Sequence, residues 1–67
     1  MKILAERIKD LRKEKGLSQT QLAEKLCTTQ DTISLWELEK SYPDIFAVKQ
    51  LALIFGVTTD YLLGLED

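Results

Sequence analysis

Apolar residues recur along this chain at intervals of three and four, in short runs, and each run is broken by a residue that ends one helix and another that starts the next. Such punctuation rules out long helices and offers no alternating pattern for a strand. Leu4, Ile8 and Leu11 mark the first run, which Gly16 stops as a C-terminal cap with Lys13 and Lys15 close to the negative end of the helix dipole. Ser18 is placed to cap a second helix, with Gln21 three positions on to complete a capping box, and Leu22, Ala23 and Leu26 form its buried face. After a break at Cys27 and Thr28, Thr29 caps a third helix expected from Gln30 to about Leu38, with Ile33 and Trp36 inward. Pro43 forces the residue before it out of helical geometry. Asp44 then caps a fourth helix, whose core face is Val48, Leu51, Ala52 and Phe55 and whose stop is Gly56. Thr58 or Thr59 opens a last short helix through Leu63, ended by Gly64. The expectation is an all-α fold of five helices forming a single domain over residues 1–67.

Size narrows the functional classes. A chain of 67 residues buries only about 60% of the surface its unfolded form exposes, too little to enclose a deep catalytic cavity. Catalysis is not expected: the chain has no His to act as a base, no phosphate-cradling loop and no Cys–His pair. A single cysteine, Cys27, allows no internal disulfide, and without His no zinc site, metal or cofactor is expected. No stretch approaches the roughly 20 apolar residues of a membrane span, so the reading is of a cytoplasmic protein.

The net charge of −2 argues mildly against nucleic acid, whose phosphates reward Lys and Arg. That average hides a division. Residues 1–18 carry six basic side chains (Lys2, Arg7, Lys9, Arg12, Lys13, Lys15) against three acidic ones (Glu6, Asp10, Glu14), while the rest of the chain is acidic. The basic segment is either an element that orients the protein on DNA or a solvated mixed-charge helix.

The stretch from Gln19 to Leu38, QTQLAEKLCTTQDTISLWEL, has the spacing that a helix-turn-helix requires. Two short helices crossing at about 90–120° over a tight turn need apolar residues at their junction and a small one at closest approach. Leu22, Leu26, Ile33 and Trp36 supply the first requirement and Ala23 the second. The first turns of the third helix are then left outward, free to enter a major groove about 12 Å wide.

The run LRKEKGLSQTQLAEKL, followed in order by TISLWE, a loop proline, LALIFGV and DYLLG, resembles the Cro and lambda-repressor family, also called the XRE family, over nearly the whole chain. The resemblance implies a five-helix lambda-repressor-like bundle whose third helix reads double-stranded DNA, usually as a homodimer on a palindromic operator, in a bacterial or phage regulator. It implies that Gln19 contacts a phosphate at the start of the second helix, and that Thr29, Gln30, Asp31, Thr32, Ser34 and Leu35 form the DNA-facing surface. Gln30 is the foremost candidate base reader, because an amide donates and accepts together and pairs bidentately with adenine. Arg12 and Glu37 match a salt bridge that joins the first helix to the third, a structural role. Lys2, Lys13 and Lys40 are candidate phosphate partners.

Some positions depart from the family pattern. Cys27 and Glu39 stand where Gly, or Gly and Asn, are frequent, and at Cys27 the backbone is either ordinary or strained by about 1 kcal/mol. Asp31, Leu35 and Leu38 set a carboxylate and two isobutyl groups toward a polyanion, although Asp31 can accept from cytosine N4 and Leu35 can pack on a thymine methyl. Phe46 and Leu53 fall where relatives carry polar residues, consistent with self-association, contact with another domain, or a larger core. The leading expectation is therefore a repressor that binds its operator as a dimer. The alternative is a protein-interaction module on the same fold with weakened or lost DNA binding.

Overall fold

A computed structural model describes residues 2–67, which form α1 (Lys2–Glu14), α2 (Gln19–Leu26), α3 (Gln30–Glu37), α4 (Ile45–Phe55) and α5 (Thr59–Leu63). No strand occurs among the described residues, so the chain is an all-helical bundle. The third helix stops one residue short of the expected Leu38, which becomes its half-helical cap. Thr58, not Thr59, caps α5, its side chain accepting from the backbone N–H of Tyr61.

Local chemistry sets each start. Ser18 and Gln21 exchange hydrogen bonds at 3.0 and 2.8 Å, a complete capping box that satisfies two otherwise orphaned donors. Thr29 and Asp44 cap α3 and α4 by accepting from the N–H groups of Thr32 and Ala47. The faces thus defined meet in one core of Leu4, Ile8, Leu11, Leu22, Ala23, Ile33, Trp36, Val48, Leu51, Ala52, Phe55 and Leu62. Leu26 lies at its edge, only half-buried. α2 packs most extensively on α3, while α1 and α4 hold this pair from behind and α5 closes the bundle against both.

Every helix ends on a left-handed residue: Gly16, Cys27, Glu39, Gly56 and Gly64. The next residue then donates back to a carbonyl five positions earlier, as in Leu17 to Arg12 at 3.0 Å, Thr28 to Ala23 at 2.9 Å and Lys40 to Leu35 at 2.9 Å. The two helices of the helix-turn-helix are the two that end without glycine. Cys27 has φ 57° and ψ 42° and Glu39 has φ 63°, so of the two backbones open to Cys27 in the sequence, the strained one is adopted. Gly64 is required for space as well, since a Cβ there would stand 2.8 Å from Cγ2 of Ile3.

Arg7 ties the end of the chain to α1. Its guanidinium donates to the carbonyls of Tyr61 and Glu66 and lies 3.9 Å from the centroid of the Tyr61 ring, a cation–π arrangement. Glu66 is thereby held to α1, while Leu65, Glu66 and Asp67 are exposed and have no helical structure of their own.

Replacing Cys27 or Glu39 by Gly relieves about 1–2 kcal/mol of left-handed strain and gives back roughly 0.4–1 kcal/mol to the more flexible unfolded chain. The net gain is at most about 1.6 kcal/mol, so Cys27→Gly and Glu39→Gly should each raise the thermal midpoint, by up to about 10 °C, in melts followed by circular dichroism. A lowered midpoint in both would show that neither cap is strained.

Candidate nucleic-acid interface

Ile33 and Trp36 fix the rotation of α3 by entering the core. At 100° per residue this turns Gln30, Asp31, Ser34, Leu35 and Leu38 outward and leaves Thr32 on the flank. Asp31, Leu35 and Leu38 are exposed and Ser34 is half-buried. Lys40 follows in the loop after α3 with an exposed side chain. Thr29 and Thr32 share a hydrogen bond of 2.9 Å between their hydroxyls at the start of the helix. The outward surface is thus mixed: an amide and hydroxyls around a carboxylate and two leucines.

Gln19 and Gln30 are 11 residues apart in sequence and meet at the α2–α3 junction, where Nε2 of Gln30 donates to Oε1 of Gln19 at 2.6 Å. Gln19 in turn donates through Nε2 to Oε1 of Glu37 at 3.1 Å. Behind them Arg12 holds Glu37 by a two-pronged contact, Nε to Oε2 at 2.8 Å and Nη2 to Oε1 at 3.2 Å. The side chains of this ion pair are only 11% and 5% exposed. Nη1 of Arg12 also donates to the carbonyl of Leu17 at 2.8 Å, so one guanidinium joins α1, the loop before α2, and α3.

Reading the sequence assigned Gln19, Gln30 and Glu37 separate tasks and missed that they form one chain of hydrogen bonds. No local signal reveals it, because the three residues lie on two helices and come together only when those helices cross.

The basic first segment is smaller as a surface than as a sequence. Arg7 is bound to the C-terminal residues and Arg12 to Glu37. Lys2, Lys9, Lys13 and Lys15 remain as its exposed cations. Away from α3, Phe46 and Leu53 lie one heptad apart on α4 and are 66% and 67% exposed, which removes core enlargement as an explanation for them. Ile45, at the start of the same helix, is 89% exposed.

A family model described as helix-turn-helix matches residues 8–62. The chain is 42% identical over 62 residues to the HTH-type transcriptional activator BcrR of Enterococcus faecalis, an alignment covering 92% of this chain and 30% of that protein. It is 34% identical over 64 residues to the HTH-type transcriptional regulator ImmR of Bacillus subtilis, covering 96% of this chain and 50% of ImmR. It is 38% identical over 61 residues to the SPbeta prophage-derived regulator YonR of Bacillus subtilis, covering 91% and 56% respectively. The chain therefore spans between about a third and just over half of the length of these relatives.

Removing one partner of a nearly buried ion pair strands the other charge, at a cost of about 3–5 kcal/mol. Glu37→Ala, which leaves Arg12 with only the Leu17 carbonyl, should lower the unfolding free energy in urea by that amount, and Arg12→Ala by a similar one. A loss below about 1 kcal/mol, typical of an exposed pair, would show that the bridge is not structural.

Proposed function

The chain belongs to the helix-turn-helix family, of the Cro and lambda-repressor type, and from that membership we propose that it is the sequence-specific DNA-binding module of a transcriptional regulator. The observation that carries this reading is the outward face of α3, with Gln30 at its first turn braced by Gln19 at the first turn of α2. In this reading α3 enters the major groove, and the amide of Gln30 accepts from adenine N6 while donating to N7. Leu35 packs on a thymine methyl and Asp31 accepts from cytosine N4. Thr29, Thr32 and Ser34 divide their hydroxyls between the helix start, base edges and the DNA backbone.

Affinity comes from phosphates. In this reading the N–H of Gln19 not committed to Glu37 donates to one of them, helped by the free backbone donors of the α2 N-terminus. Lys2, Lys13 and Lys40 add charge. Self-association through the exposed apolar face of α4, with Phe46 and Leu53 at its centre, sets two copies of α3 about 34–36 Å apart, one turn of DNA, and the operator is then palindromic. Occupying such a site excludes polymerase, so the regulator acts as a repressor in the cytoplasm of a bacterium or in a phage-infected cell. Among the described residues no helix is long and apolar enough to cross a membrane.

Selection of bound duplexes from a random pool at two salt concentrations tests the reading. A palindrome should be enriched, and binding to it should weaken as salt rises with a slope near −0.9 per phosphate neutralised. Gln30→Ala should cost about 1–3 kcal/mol on the selected site and abolish preference at one base pair of each half-site. Phe46→Asp should return the chain to a monomer in sedimentation measurements. A folded chain that enriches no sequence, but retains a protein partner at high salt, would instead be an interaction module using the exposed Leu35, Leu38 and Phe46.

A further inference from the structure

We infer that Glu37, which stands behind the DNA-facing surface and touches no base, is a positioning residue that decides which purine Gln30 can read. The inference rests on the DNA-reading role proposed above and follows from the direction of the hydrogen bonds. An ionised carboxylate accepts and never donates. The fork of Arg12 immobilises both oxygens of Glu37, and Oε1 faces Gln19. Gln19 must therefore turn its NH2 group inward, and its own carbonyl oxygen is left facing α3.

That oxygen, Oε1 of Gln19, can only accept, so Gln30 must spend one N–H on it, at 2.6 Å. Gln30 is left with its carbonyl oxygen and one N–H. Adenine presents an acceptor at N7 and a donor at N6 in the major groove, which match this remainder. Guanine presents two acceptors, N7 and O6, and would need both N–H groups of Gln30. The negative charge of Glu37 is thus relayed through two amides as a choice of adenine over guanine, with Gln19 as the intermediate.

Replacing the charge by an amide breaks the relay while preserving the shape. In Glu37→Gln the new side chain can donate to Gln19, whose amide is then free to reverse. Gln30 can reverse with it, turning its oxygen toward Gln19 and releasing both N–H groups for guanine. Gln19→Ala cuts the same relay but leaves the Arg12–Glu37 bridge intact, and so guards against a failure to fold.

The experiment is a competition assay with duplexes carrying adenine or guanine at the position where Gln30→Ala erases the preference. It compares the parent chain with Glu37→Gln and Gln19→Ala, each first shown to melt cooperatively. The parent should favour adenine by about 5- to 150-fold, the range for one bidentate pair. Both variants should fall below about fivefold, Glu37→Gln by gaining affinity for guanine as well as losing it for adenine. Two variants that bind more weakly to both duplexes with an unchanged ratio would show that Gln19 and Glu37 serve only phosphate contact or stability, and would overturn this inference alone. A parent chain with no base preference anywhere would overturn the proposed function and this inference with it.

Discussion

The contact between Arg12 and Glu37 is the interaction on which the arrangement of this small bundle depends. It is nearly removed from water, and through it a single group holds α1, the loop entering α2, and α3. Ile33 and Trp36 turn one face of α3 inward, but hydrophobic contact is non-directional and leaves the tilt and slide of α3 over α1 loosely set. A planar guanidinium meeting a carboxylate at two points permits one orientation. The buried residues decide which face of α3 projects outward, and the ion pair fixes where that face stands beside α2, so that Gln19 and Gln30 meet.

The same junction is where the chain gives up local stability. α2 and α3 both end in left-handed residues that are not glycine, at Cys27 and Glu39, whereas α1, α4 and α5 end on glycine. The turn between α2 and α3 needs that geometry so that Thr28 can reach back to the carbonyl of Ala23, and the loop after α3 needs it so that Lys40 can reach that of Leu35, whatever the side chain. The strain is sustained by the rest of the bundle, in which Leu22, Ile33 and Leu51 are fully buried around the junction.

Most of the helices were legible because their signals are local. A cap acts on a backbone N–H three residues away, and an amphipathic stripe shows itself within two turns, so Ser18, Thr29, Asp44 and the core residues of α4 could be named from the sequence. α3 ends at Glu37, within one residue of the end expected at about Leu38, since helix ends are set by the turn that follows and not by the helix itself. The clamp of Arg7 on the C-terminal residues was not legible: its acceptors are main-chain carbonyls 54 and 59 residues away. Seen in sequence, Arg7 counted toward a basic surface, and in the folded chain it is an internal tie; the tie of Arg12 to Glu37 was already implied by the family resemblance.

The helical class, the number of helices, the buried face of each, and the residues that occupy the helix-turn-helix can be read from local spacing, because all of these depend on residues within a few turns of one another. The crossing of the helices makes Glu37, Gln19 and Gln30 one directed chain of hydrogen bonds. The tertiary structure alone decided that Cys27 takes the left-handed backbone and that Phe46 and Leu53 remain outside the core. The reason is the reach of the forces involved: caps and amphipathic periodicity act along a helix, whereas the polarity of an amide and the exposure of a face depend on groups that come near only when separate helices cross.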